Sequence, residues 1–298
     1  MKRKLMLCML LIGTLSFVGC GEKKVEQPSA TPKQEEQKTT FKEISKIDAH
    51  EILIQEGMVF ANGREVYIKG YMPKDEEKHT AIIMCHGYNG SNADFSKECR
   101  YYAENGIVAY AIDFCGGSAR SKSSGKTTDM TIFTEKEDLL AVFDYVKTAA
   151  NVDAQKVYLF GGSQGGLVAA LAAEEVKDEA KGVALYFPAL NIPDNWKGRY
   201  KTEEQIPEVV EFWGLKLGKE FFASLLDFSA FDNIGEFSKK VLIIQGDRDN
   251  IVPLSVAKRT QSCYSNAELV VLPGEGHGFK PPAGQTAMEK VLEFMKSE

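Results

Sequence analysis

The stretch Val157 to Ala170, Val-Tyr-Leu-Phe-Gly-Gly-Ser-Gln-Gly-Gly-Leu-Val-Ala-Ala, constrains the fold more than any other part of the chain. It opens as a short apolar run suited to a buried strand and closes as an alanine-rich helical run. Between them lies G-x-S-x-G, centred on Ser163. A strand-to-helix turn this tight forces the serine backbone into a strained conformation. The flanking glycines make room where the helix crosses close to the strand. The serine oxygen is then raised above the sheet edge, beside a helix N-terminus. That suits a nucleophile whose attack creates negative charge. Five residues alone are also compatible with a Gly/Ser turn that does no chemistry; the strand and helix around them favour the nucleophile.

The body of the chain predicts an α/β domain with a mostly parallel sheet. Glu51 to Phe60 and Arg64 to Tyr71 read as strands joined at Asn62-Gly63, a hairpin signal. Short buried strands follow at Thr80–Cys85, Gly106–Ile112, Val157–Phe160, Gly182–Phe187, Lys240–Gln245 and Glu268–Leu272. Helices are expected at Phe95–Glu104, Glu135–Ala149, after Ser163, at Leu254–Cys263 and over 284–296. Ligands in such sheets sit beyond the carboxyl ends of the strands. His86, Asp113 and Ser163 all fall there. The segment from Ala189 to Phe237 breaks the alternation and is too long for an ordinary loop. It holds both tryptophans, Trp196 and Trp213, and reads as a small, mainly helical cap over the strand ends, without a clear strand of its own. Most of its aromatics fill the cap; Trp196 and Trp213 are candidates to line a substrate pocket, with Tyr88.

A serine needs a base, and the base needs an orienting carboxylate. Asp249 lies in the loop after the Val241 strand, and His277 in the loop after the Glu268 strand. Asp247 competes for the acid role. It directly follows Gly246, where a carboxylate more often holds a loop, so Asp249 is preferred. His50 and His79 sit in polar, peripheral contexts. His86 precedes Gly87 at a strand end and reads as structural support for an oxyanion loop. The donors expected for the oxyanion are the backbone N–H groups of Tyr88 and Gln164. The side chain of Tyr88 is expected to be free to contact substrate.

Taken together, these residues resemble the α/β-hydrolase superfamily, in which Ser, Asp and His follow one another in this order. Within it they look most like the small bacterial cinnamoyl/feruloyl esterases and the related serine-aminopeptidase-like hydrolases. The similar pieces are His86-Gly87-Tyr88-Asn89-Gly90, Asp113-Phe114 with Gly116, Gly161 to Gly166, Gly246 to Pro253 and His277-Gly278-Phe279. The likeness runs from about residue 51 to 298. It implies an α/β-hydrolase fold with a cap inserted before the acid-bearing strand. Two departures are visible. The esterase group usually has Gly-His-Ser at the nucleophile, and Gly162 stands in place of that histidine. Its Asp-Phe-x-Gly-His-Gly stretch is here Asp113-Phe114-Cys115-Gly116-Gly117-Ser118.

The first residues carry an export signal. Lys2, Arg3 and Lys4 precede an apolar run from Leu5 to Val18, too short for an ordinary membrane-spanning helix. The run ends Leu15-Ser16-Phe17-Val18-Gly19-Cys20, which resembles the bacterial lipoprotein signal, in which cleavage precedes a cysteine that takes a diacylglycerol. A plain secretory signal is the alternative. Residues 1–19 are thus expected as signal peptide, 20–45 as an apolar-poor tether, and 46–298 as the hydrolase domain with its cap at about 189–237. The expected location is extracytoplasmic and lipid-anchored through Cys20, or secreted if Cys20 is not lipidated. Cys85, Cys99, Cys115 and Cys263 are expected as free or partly buried thiols, with one disulfide as the alternative.

A net charge of -6 without a basic block argues against nucleic acid as a partner. No H-E-x-x-H and no Cys/His cluster argue against a zinc site. The expected function is hydrolysis of small or aromatic acyl esters by a serine carboxylesterase that needs no cofactor. A serine aminopeptidase or amidase, a thioesterase or acyltransferase, and a tethered binding protein on a hydrolase scaffold remain as alternatives.

Overall fold

The computed structural model describes residues 39–297, so the stretch read as an export signal, Cys20 and the first part of the expected tether lie outside the described residues. Three antiparallel strands open the domain: β1 (Thr40–Ala49), β2 (Ile52–Ala61) and β3 (Arg64–Pro73). Asn62 and Gly63 both take positive φ in the turn between β2 and β3, as the Asn-Gly signal requires. The parallel part follows as β4 (His79–Cys85), β5 (Val108–Ile112), β6 (Val152–Gly162), β7 (Gly182–Tyr186), β10 (Lys240–Gly246) and β11 (Ala267–Leu272). The sheet order is β1-β2-β3-β5-β4-β6-β7-β10-β11, antiparallel up to the β3–β5 pair and parallel beyond it.

Helices α1 (Ser96–Glu104) and α7 (Ala283–Lys296) bury Cys99, Tyr102, Met288 and Val291 against one face. Helices α2 (Ile132–Thr148), α3 (Gln164–Glu175) and α6 (Leu254–Cys263) bury Phe143, Leu167, Val168 and Ala257 against the other. Sequestering both faces from water is why Ala81–Cys85, β5, Val157–Phe160 and β7 read as unbroken apolar runs. The structure is an α/β-hydrolase fold, and its C-terminal strand edge carries the loops that hold Tyr88, Ser163, Asp249 and His277.

Three features differ from the expectations. Strand β1 starts at Thr40, inside the stretch 20–45 expected as tether. Its side chains mostly face water, but Phe41 stacks on Tyr145 at a centroid distance of 4.5 Å. Strand β6 begins at Val152, five residues before the apolar run: Val152 pairs with His79, the register then shifts, and the unburied Asp153 to Lys156 lie between that pair and Val157 opposite Ala81. The cap holds α4 (Ile192–Lys197) and α5 (Lys219–Ala223), and also an antiparallel hairpin, β8 (Val209–Phe212) with β9 (Leu215–Gly218), where no strand was expected.

Helix α3 starts in direct backbone contact with the strands beneath it. A Cβ on Gly161 would fall within the carbonyl of Gly165, and one on Gly165 would fall against the carbonyls of Cys85 and His86. The Gly161→Ala variant is therefore expected to lose about 1–3 kcal/mol of stability through overpacking. Urea unfolding checks this: the midpoint falls at unchanged m-value, whereas an unchanged midpoint would contradict the close approach.

Candidate active site

Ser163 sits between the end of β6 and the first residue of α3, with φ 54° and ψ -120°. A side chain at positive φ is strained. Its backbone is held on both sides: the N–H donates to the Tyr186 carbonyl at 3.0 Å, and the carbonyl accepts from Gly166, Leu167 and Ala189. Nothing larger than hydrogen fits at Gly162 without displacing Phe95, whose Cζ lies 2.8 Å from where a Cβ would stand. Phe95 thus occupies the space next to the serine that a side chain at 162 would need.

His277 bridges the serine and the acid. Its Nε2 is 2.9 Å from Ser163 Oγ, and its Nδ1 is 2.8 Å from Asp249 Oδ2. Phe187 packs against the imidazole at a centroid distance of 4.6 Å. Asp249 is buried. Its Oδ1 accepts the backbone N–H groups of Ile251 and Val252 at 2.8 and 2.9 Å, which fixes the carboxylate in the loop after β10. Asp247 takes the other role read for it: its Oδ1 accepts the Gly274 N–H at 2.7 Å and ties two loops together.

His86 is buried, and its Nδ1–H donates to the Gly87 carbonyl at 2.7 Å, while Nε2 accepts the Phe114 N–H at 3.2 Å. Both nitrogens are therefore committed, and burial lowers the pKa of the ring. This ring fastens the loop after β4 to the chain leaving β5. Asp113 supports the same region by accepting from Asn92 and from the Lys122 N–H. His79, in contrast, pairs with Asp75 at the far end of β4.

Gln164 is the first residue of α3, so its N–H has no partner within the helix. Tyr88 lies on the loop after β4 and lines the same cavity as Ser163. The Tyr88 side chain was expected to be free and is not: its hydroxyl donates to the Phe212 carbonyl of the cap hairpin at 2.6 Å. Its ring still lines a cavity of about 310 Å³ with Ser163, Gln164, Trp196, Phe212 and Trp213. A second cavity of about 410 Å³ opens on the His277 side of the serine, walled by Phe95, Glu98, Phe187 and Phe279. Trp213 borders both and is 61% exposed.

Sequence reasoning passed over two side chains here. Gln245 closes β10 fully buried, and its amide donates to Asp249 Oδ2 at 3.1 Å and to the Val252 carbonyl at 3.0 Å. Glu135, also buried, accepts from the Gln164 side-chain amide at 2.8 Å. In each case a polar residue in a buried register was the available signal.

Cys85, Cys99, Cys115 and Cys263 are all free, so the disulfide alternative is not realised. Burial pushes the Cys115 thiol up to about 12. Among the described residues, no group of three or more His, Cys, Asp or Glu could hold a metal ion.

A family model described as the prolyl oligopeptidase family matches residues 93–298. Est1E from Butyrivibrio proteoclasticus, solved with ferulic acid bound, is 29% identical with a TM-score of 0.71, over 80% of this chain and 97% of Est1E. Acetyl xylan esterase 1 from Thermoanaerobacterium sp. is 21% identical with a TM-score of 0.65, over 87% and 88% of the two chains, a likeness of fold. Among curated proteins, acylamino-acid-releasing enzyme 1 of Oryza sativa subsp. japonica is 24% identical over 242 residues. That match covers 74% of this chain but only 30% of the plant protein.

The neutral state of His86 has a measurable consequence. The folded pKa is lowered, so below the ordinary histidine value of about 6.5 the unfolded chain takes up a proton that the folded one refuses. This group's contribution is complete above that value and is lost as pH falls through it, at up to about 1.4 kcal/mol per pH unit. Urea unfolding between pH 5 and 7.5 is expected to show a shallower acid-side loss in His86→Asn than in the wild type. Parallel curves would exclude a neutral, buried role.

Proposed function

The chain belongs to the prolyl oligopeptidase family of serine hydrolases, and on that premise we propose that it is a carboxylesterase acting through Ser163, His277 and Asp249. The observation that carries this reading is the imidazole of His277, hydrogen-bonded to Ser163 at 2.9 Å and to Asp249 at 2.8 Å. His277 Nε2 takes the hydroxyl proton as Ser163 Oγ attacks the acyl carbon. Asp249 accepts from Nδ1–H, fixes that tautomer and stabilises the imidazolium. The N–H groups of Tyr88 and Gln164 hold the oxyanion of the tetrahedral intermediate. Protonated His277 gives its proton to the leaving alcohol, and water then repeats the sequence on the acyl-enzyme. The residues of this chain supply the whole sequence.

The acyl group occupies the cavity beneath the cap. Its walls include Tyr88, Trp196, Phe212 and Trp213, which suit a small or aromatic acyl chain. The ferulic acid bound by Est1E supports an aromatic acyl group. The alcohol leaves on the side of the second cavity, which His277 lines. An amidase reading is the second candidate, favoured by the name of the family and by the likeness to an acylamino-acid-releasing enzyme. Nitrophenyl esters and aminoacyl nitroanilides separate the two. Turnover of acetyl, butyryl and feruloyl esters is expected; turnover of the anilides alone would reject the esterase. A fluorophosphonate probe is expected to label the wild type and not Ser163→Ala, and Asp249→Asn to lower kcat by about four orders of magnitude.

We also propose that the enzyme works outside the cytoplasmic membrane, held there by a lipid on Cys20. The basic residues Lys2 to Lys4, the apolar run after them, Gly19-Cys20 and the polar stretch behind them support this. Acyl chains would supply the hold, at about 0.8 kcal/mol per buried methylene. In a bacterial host the full chain is expected to incorporate labelled palmitate and to sediment with membranes. The Cys20→Ser variant loses both. A wild-type chain that is cleaved, unlabelled and soluble would leave only secretion.

A further inference from the structure

Glu135 is a buried acid that the reaction above does not use. It lies in the first turn of α2, and its one side-chain hydrogen bond runs from the Gln164 amide to Oε2 at 2.8 Å. Among the described residues Glu135 makes no ion pair, and the cation nearest in influence, Arg64, is committed elsewhere. On its own helix, Asp138 is paired with Arg64 of β3 at 2.7 Å, and Arg64 also donates to the Thr134 carbonyl at 3.0 Å. From β4, the Cys85 thiol faces it, itself held protonated by burial. From the loop after β4, Tyr88 faces it, its hydroxyl also kept protonated, chiefly by burial. From the loop after β5, Gly117 approaches so closely that a Cβ there would stand 3.2 Å from Glu135 Oε1 and 3.3 Å from the His86 ring.

Gln164 is the residue whose backbone N–H faces the oxyanion in the proposed reaction. Its side chain runs backward from the helix start to Glu135, with Met130 Sδ 4.0 Å from the same amide. We propose that Glu135 is a positioning residue of the oxyanion hole: it clamps Gln164 by the side chain, and it does so as the uncharged acid. Geometry supports the clamp, because Gln164 belongs to α3 through its backbone and is tied to α2 by Glu135 through its side chain. Burial without an ion pair of its own supports the neutral form, and desolvation, outweighing the attraction of Arg64, pushes the carboxyl up to about 8. Ionisation above that value sets a negative charge behind a donor that must receive an oxyanion, which opposes the transition state.

This inference rests on the esterase reading, and its test keeps the two apart. The experiment measures kcat and KM for a nitrophenyl ester from pH 6 to 10 in the wild type, Glu135→Gln, Glu135→Leu and Gln164→Leu, with thermal melts of each. Wild-type kcat is expected to fall at alkaline pH with an apparent pKa near 8. Glu135→Gln keeps an acceptor for the Gln164 amide, so it recovers most of what Glu135→Leu loses and shows no such limb. Glu135→Leu and Gln164→Leu are each expected to lose roughly tenfold in kcat with KM little changed, less than the loss of an oxyanion donor outright. Wild-type kcat in Gln164→Leu, or an unaltered alkaline limb in Glu135→Gln, would overturn the proposal even if Glu135→Leu fails to fold. A wild type that neither turns over the ester nor takes a fluorophosphonate would instead remove the esterase reading itself.

Discussion

Helix α3 rests on the ends of β4 and β6 with no side chain between them at Gly161 and Gly165, and the rest of the site hangs from that contact. The contact forces the turn at Ser163 to be tight, and the tight turn drives the serine to φ 54°. The strain is held by four backbone hydrogen bonds around one residue, which a looser helix could not make. The same contact brings the N-terminus of α3 against the loop after β4. In the proposed reaction this contact is what would let two N–H groups from different elements, on Tyr88 and Gln164, serve one oxyanion.

Around this centre the buried polar side chains do one thing repeatedly: they fix orientation by using up hydrogen-bonding capacity. His86 has a partner at each ring nitrogen. Asp249 is fixed by two backbone donors and by Gln245 before it meets His277. A site whose groups cannot turn has little to reorganise when charge develops. The cost is that each of these groups is buried and becomes a liability if its partner is removed.

The parallel strands and the chain order of serine, acid and base were legible in the sequence because burial on both faces leaves an apolar run, and the site residues follow such runs directly. The elements that escaped are those that burial marks weakly. Strand β1 turns most of its side chains to water, Ile44 and Ile47 among them, and half-buries one aromatic, Phe41. The cap hairpin does alternate, Val210 and Leu217 inward with Glu211 and Lys216 outward, but its turn is Trp213-Gly214. A tryptophan at φ 42° gives none of the usual Asn-Gly signal. Glu135 and Asp138 share the inner face of α2 with Leu139 and Val142. A charged residue in an apolar stripe was readable there as a register, though not as a partner for Gln164.

The Tyr88 hydroxyl is bonded to the carbonyl of Phe212, and the Asn89 amide lies 3.4 Å from that of Trp213. The insertion that roofs the proposed acyl cavity therefore grips the same loop that, in the proposed reaction, presents an N–H to the oxyanion. Roof and catalytic loop form one mechanical part. In this architecture the cap is not an interchangeable specificity module: a new roof grafted for a new substrate would have to supply two carbonyls in the same places, or the chemistry beneath it would drift along with the selectivity.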